Sequence, residues 1–261
     1  MLDGAADILL RPGWPAGALG LRFAYMSLYP GPVPVADVHR WKTEATQRLL
    51  GYTIALTEDE WHQPARLPGW SRAHVATHLA RNADYFRAVL NAQFAGCAQP
   101  ELPSAAERRA NLELGADRNG LELQIDLDAA AGALQNAIDT VSDWTPLVLI
   151  NGAELPLAAL PLARLHELEV HLIDLDCGFT AEMIDPEAAE WLLRWALFRL
   201  GEANLPAMTI TTTNLQAELG MGTDEPLQIS GSDASIWAWL TGRGPADSVS
   251  GSEDLTLPFL G

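Results

Sequence analysis

The sequence predicts an α+β protein, an antiparallel four-helix bundle at the N-terminal side followed by a small C-terminal α/β domain. Two observations carry that prediction. Between residues 37 and 176, apolar residues recur at helical spacing in four long stretches, and long amphipathic helices with mostly short joints pack as antiparallel neighbours. After about residue 182 the texture shifts to short β-branched runs separated by glycine, which reads as strands and turns.

The elements follow in order. Residues 1–34 are apolar, but Arg11, Pro12, Pro15 and Arg22 interrupt them. A spanning helix needs roughly 20 apolar residues in a row, and a secretory leader needs a basic start, whereas the first charge here is Asp3. This segment is expected to be a flexible or surface-draped extension. The first bundle helix is "DVHRWKTEATQRLL", Asp37 to Leu50. The second is "SRAHVATHLARNADYFRAVLNAQFAG", with Ser71 as its expected N-cap and Gly96 as its stop. "SAAERRANLELGADR" is expected to run on into "GLELQIDLDAAAGALQNAIDTVSDW" as one long third helix ending near Trp144. "LVLINGAELPLAAL" carries an Asn-Gly hairpin signal. The fourth bundle helix spans about Pro161 to Asp176. The bundle domain is thus expected over 35–182 and the α/β domain over 183–261. In the latter, "PEAAEWLLRWALFRLG" is a helix, "AMTITTTNL", "AELGMG" and "PLQISG" are strands, "SDASIWAWLTGRG" is a short helix capped by Ser232, and "SVSGSEDLTLP" is a closing strand.

The totals narrow the function. Hydrophobic residues make up 48 % of 261, enough for a sizeable core. Sixteen Lys and Arg face 34 Asp and Glu, a net charge of −18, which repels a phosphate backbone and argues against nucleic acid as a partner. An anionic small molecule would need a local cation. Two cysteines, Cys97 and Cys177, lie outside any CxxC and fit ordinary cytoplasmic usage; no membrane segment is expected.

One stretch, "RLHELEVHLIDLD", stands out in the fourth helix. At 100° per residue, Arg164, Glu167, His171 and Asp174 share a face about 80° wide, beside the leucine stripe of Leu165, Leu168, Leu172 and Leu175. Such a stripe is either an ion-pair network on a solvated face or one half of a metal site, since Glu-x-x-x-His sets two ligands one turn apart. A third ligand would come from another helix, and the second helix offers His74 and His78, again four apart. His78 lies among Val75, Leu79 and Phe86, which suggests an inward face. His39 and His62 are expected at the surface.

Three blocks carry a family resemblance. "LPGWSRAHVATHLARNADYF", "RLHELEVHLIDLDCGFT" and "ISGSDASIWAWLTGRG" resemble, in order and separation, the signatures of the mycothiol-dependent maleylpyruvate isomerase family, whose bundle is DinB-like. The resemblance implies a zinc enzyme using the thiol mycothiol as cofactor. By position it implies His78, Glu167 and His171 as metal ligands, Arg243 of "TGRG" as a catalytic residue, and packing or capping for His74. His166 stands where an arginine is usual in the family. Arg72, Arg81 and Arg164 are candidates to hold carboxylates of the cofactor or substrate, and Asp174 to orient a ligand histidine.

The implied chemistry is cis–trans isomerisation of maleylpyruvate to fumarylpyruvate. A C=C bond turns only after something adds to it, and a thiolate is a suitable nucleophile that a metal can generate at neutral pH. The charge then developing on the carbonyl oxygen calls for a fixed cation, the part assigned to Arg243. The same site on the same bundle would also serve a zinc-dependent thiol S-transferase acting on electrophiles, or a non-enzymatic zinc-binding bundle. In the enzyme readings the partners are a small-molecule substrate and a low-molecular-weight thiol.

Overall fold

The computed structural model describes residues 31–150, 152–201, 203–221 and 225–252. The expected extension therefore lies almost wholly outside the described residues, as does most of the closing strand. Of that strand, Ser250 forms a single antiparallel bridge with Ser230. Among the described residues the chain divides into two compact units, Pro34–Gly178 and residues 31–33 with 179–252.

The first unit is a helical bundle. Its elements are α1 (Val35–Thr53), the single turn α2 (Glu58–Trp61), α3 (Arg72–Ala95), α4 (Ala105–Ala116), α5 (Gly120–Asp139), the strands β1 (Leu147–Ile150) and β2 (Ala153–Pro156), and α6 (Ala159–Asp174). Helices α1, α3, α5 and α6 form the four-helix core, with α3 against α5 and α6, and α1 against α6 and α5. Cross-helix contacts fix the direction of α3 and α6. Arg72 reaches Leu175, His78 reaches Glu167 and Arg164 reaches Asn82. The residue numbers rise on one helix as they fall on the other, so the two run antiparallel.

Local chemistry explains the helix ends. Ser71 heads α3 in a capping box whose return contact comes from His74, and Gly96 closes the helix in the left-handed region at φ 62°, where a side chain would be strained. The expected single third helix is two. It breaks at 117–119 because Asn119 starts a new capping box, accepting from the Glu122 amide at 3.0 Å while the Glu122 carboxylate accepts from the Asn119 amide. The Asn-x-x-Glu spacing was in the sequence and outweighs the continuous helical pattern around it. The helix α5 also stops at Asp139, short of Trp144. The Asn-Gly signal gives the β1–β2 hairpin, paired antiparallel from Leu147↔Pro156 to Ile150↔Ala153, with Gly152 at φ 83°.

The start of α5 also shows why α2 exists. Glu58 of α2 accepts a hydrogen bond from the Gly120 amide at 2.8 Å, and the Trp61 ring lies against the same glycine. A Cβ on Gly120 would stand 2.4 Å from the indole. Gly120→Ala should therefore destabilise the protein by about 1–3 kcal/mol, the usual cost of overpacking, read as a lower denaturation midpoint in urea.

The second unit begins with α7 (Pro186–Leu200), followed by β3 (Met208–Thr211), β4 (Gln216–Leu219), β5 (Leu227–Ser230) and α8 (Asp233–Leu240). Its sheet has the order β4-β3-β5, antiparallel on one side and parallel on the other. Ser232 caps α8 by accepting from the Ser235 amide at 3.1 Å. Helix α8 packs on α7. Among the described residues no helix is long and apolar enough to cross a membrane.

Candidate metal centre

Helix α6 is buried along its whole length, including Arg164, His166, Glu167, Glu169, His171 and Asp174. The solvated-face reading of the polar stripe is thereby excluded. Burying so many polar groups is costly unless each has a partner, and their partners define the site.

Three of these groups converge. His78 Nε2 lies 3.1 Å from Glu167 Oε2, and His171 Nε2 lies 3.8 Å from the same oxygen. The ligand-type atoms of His78, Glu167 and His171 are all within 4.8 Å of one another. Three donors about 2.0–2.1 Å from one tetrahedral ion stand about 3.3 Å apart, so the cluster is near metal-binding size and would have to close only modestly around an ion. The chemistry of the set agrees, with two imidazoles and one carboxylate. One atom is decisive for fit. His171 Nε2 is buried and has no hydrogen-bond partner, an expensive state for a polar atom that a bound cation would relieve.

The far side of the His171 ring explains how that atom is aimed. Its Nδ1 lies 2.8 Å from Asp174 Oδ2, with His171 wholly buried and Asp174 nearly so. A carboxylate accepts, so Nδ1 carries the proton and the Nε2 lone pair faces the cluster. Burial holds His171 below the usual imidazole range, against the pull of Asp174. At Glu167 burial would raise the carboxyl, but the hydrogen bond from His78 and the charges of His78, His171 and His166 bring it down to about 2. The two shifts favour an ionised Glu167 carboxylate and a neutral His171 imidazole, the protonation states a metal requires. Asp174→Ala should weaken zinc binding about 10–100-fold, measured by competition with a chromophoric chelator.

Trp70, nine-tenths buried, roofs the cluster. Its ring stacks on His171 at 6.4 Å and 10° and lies 5.6 Å from His78. An apolar cover of this kind lowers the local dielectric and strengthens charge interactions beneath it. Nothing in the stripe pattern pointed to Trp70; the signal was its place in the turn just before the α3 cap. His74, the other histidine of the pair, is engaged elsewhere. Its Nδ1 accepts from the Ser71 amide at 3.1 Å, and its Nε2 lies 3.3 Å from Glu113. It caps its own helix.

The remaining candidates are placed as follows. Arg72 donates to the carbonyls of Leu175, Glu60 and Asp176, pinning the end of α6. Arg81 pairs at half-exposed positions with Asp126 and Asp84. Arg164 is buried and bonded to α3 through the Leu79 carbonyl and Asn82. Arg243 belongs to the second unit, is buried, and donates to the Thr241 carbonyl at 2.6 Å. His62 is exposed as expected, but His39 is half-buried against the Trp144 ring with its Nε2 enclosed. The aromatic contact, remote in sequence, draws it in. Sequence reasoning also passed over Glu169, buried and paired to Arg48 at 3.1 Å, which burial pushes up to about 7 despite that partner.

The first unit is a four-helix bundle with a largely buried His–Glu–His cluster between two antiparallel helices, a set of side chains that could hold a metal ion. The comparisons make this specific: residues 43–176, just over half of the chain, match the mycothiol maleylpyruvate isomerase N-terminal domain. The chain belongs to the mycothiol maleylpyruvate isomerase family. Two crystal structures are similar in fold. A mycothiol-dependent maleylpyruvate isomerase shares 20 % identity at a TM-score of 0.78, over 87 % of this chain and 97 % of that one. A histidine-to-alanine mutant of a mycothiol-dependent maleylpyruvate isomerase shares 19 % at 0.77 over the same fractions. A comparison with curated proteins finds no sequence match.

Proposed function

We propose that this chain is a zinc-dependent isomerase that uses mycothiol to convert maleylpyruvate, or a close analogue, to the trans isomer. The observation that carries the reading is the His78–Glu167–His171 cluster with its unpartnered, buried His171 Nε2, in a chain of this family. His78, Glu167 and His171 would hold the metal. Three protein ligands leave a fourth position, and a zinc ion there would supply a Lewis acid that favours the thiolate form of an incoming thiol.

The chain's own groups do the rest. Asp174 holds the His171 proton on Nδ1, leaving Nε2 to coordinate. Trp70 keeps bulk water from the imidazoles. Arg243 is assigned to the negative charge that develops on the substrate carbonyl when the thiolate adds, because a guanidinium stays charged and grips oxygens with two N–H groups. Neither Cys97 nor Cys177 is needed, since the nucleophilic sulfur arrives with the cofactor.

The test is zinc content of the purified protein together with maleylpyruvate conversion with and without mycothiol. Near-stoichiometric zinc and thiol-dependent conversion without thiol loss are expected. Metal-free protein refutes the reading, and thiol consumed into a conjugate makes the enzyme an S-transferase.

A further inference from the structure

A cavity of about 160 Å³ opens at one end of the bundle, lined by the end of α1, by α2 and by the start of α5. A space of roughly 150 Å³ holds one benzene-sized molecule. The cavity is separate from the metal cluster, whose ligands sit on α3 and α6, and no step of the proposed reaction uses it.

Two features of its wall point to a ligand. The first is an unsatisfied acceptor. Gln124 Oε1 is buried and has no hydrogen-bond partner, a costly state for a polar atom. Glu58 brings a carboxylate to the same wall. Its Oε2 accepts from the Gly120 amide at 2.8 Å, and its Oε1 lies 3.6 Å from His62 Nε2, too far for a hydrogen bond. The carboxylate therefore keeps accepting capacity. None of the described residues lining the cavity is Lys or Arg, and the whole chain carries a net charge of −18. The polar groups thus select a donor, and a charged donor over a neutral one.

The second feature is an apolar wall left open. Ile54 and Leu121 line the cavity yet stay 73 % and 70 % exposed, and Trp61 adds an aromatic side. Apolar and aromatic walls with a few placed polar groups are the usual form of a small-molecule site. An aromatic ring near a carboxylate also suits an ammonium group, which is drawn to both.

We propose that this cavity binds a small protonated amine with a compact apolar body the size of a single ring. The ammonium donates to Gln124 Oε1 and the Glu58 carboxylate, and the body lies against Trp61, Leu121 and Ile54. The site stands or falls apart from the metal reading.

The probe is benzylammonium, titrated calorimetrically into the full chain near neutral pH, with benzyl alcohol as the neutral control and benzoate as the anionic one. Wild type is expected to bind benzylammonium about tenfold more tightly than benzyl alcohol, and benzoate not at all. Glu58→Gln keeps an acceptor for the Gly120 amide but removes the charge. It should cost benzylammonium about tenfold and leave benzyl alcohol nearly unchanged. Gln124→Leu removes the unpaired oxygen and should weaken both probes about threefold or more. Leu121→Ala, at an exposed position, trims the apolar wall and should weaken both by a similar factor, which keeps the test decisive if Gln124→Leu fails to fold. Wild type that does not bind benzylammonium, or that binds benzyl alcohol or benzoate equally well, overturns the proposal. Binding left unchanged by Glu58→Gln and Leu121→Ala overturns it too, because the amine would then sit elsewhere on this acidic protein.

Discussion

Replacing His171 by alanine is expected to strip the metal from this protein. The two remaining ligands, His78 and Glu167, cannot hold a catalytic ion that normally has three, so zinc retained after dialysis should fall more than tenfold. The same change leaves the buried Asp174 carboxylate without its 2.8 Å partner, a penalty of about 1–3 kcal/mol. His171→Asn therefore belongs beside it: the amide can still donate toward Asp174 but is a far poorer metal ligand. Both should be metal-poor, with the asparagine variant nearer wild type in its urea midpoint. His74→Ala is the internal control. It removes a helix-capping side chain worth about 1 kcal/mol but no ligand, and should keep its zinc. Zinc kept by both His171 variants and lost from His74→Ala would mean that the wrong histidine of the α3 pair has been assigned.

What could be read from residues alone divides along a physical line. Helix α3 was legible because its limits are set locally by Ser71 and Gly96. The convergence of Glu167 and His171 was legible because one turn of helix fixes it. His78 was chosen through its apolar neighbours and the family resemblance, and its 3.1 Å approach to Glu167 depends on α3 and α6 packing antiparallel. The third helix was misjudged because a capping box of two polar side chains, Asn119 and Glu122, interrupts an otherwise continuous apolar period. Neither the place of Trp70 over the cluster nor the burial of Lys42 was legible. Both depend on contacts between elements far apart in sequence, and a lysine in "RWKTEATQRLL" looks the same whether its helix turns it inward or outward. The stripe itself was ambiguous for a related reason. Periodicity shows which residues share a face, but only the full burial of α6 decides that this face is dry.

Arg243→Ala is expected to leave zinc in place and to remove turnover. The residue follows α8 in a turn built for a fixed geometry. Gly242 takes φ 73°, the Arg243 and Gly244 amides both donate to the Ala238 carbonyl at 2.7 and 2.9 Å, and a Cβ on Gly244 would stand 2.9 Å from the Ala238 side chain. The guanidinium is then steadied by the Thr241 carbonyl. A cation whose backbone is set in advance costs little reorganisation when charge develops beside it, and losing one such stabiliser typically lowers kcat about 10²–10³-fold. Arg243→Lys separates charge from shape. If a two-point grip on oxygen matters, lysine should recover only part of the loss. The measurement is kcat for maleylpyruvate conversion at saturating mycothiol, with zinc per chain and the unfolding midpoint determined on the same samples. Because Arg243 is buried and bonded, some loss of stability is expected, and it must stay small enough that the variant is folded at the assay temperature. A folded, zinc-loaded Arg243→Ala protein that turns over like wild type would remove this arginine from the reaction and move the search for the charge-stabilising group to Arg72, Arg81 and Arg164.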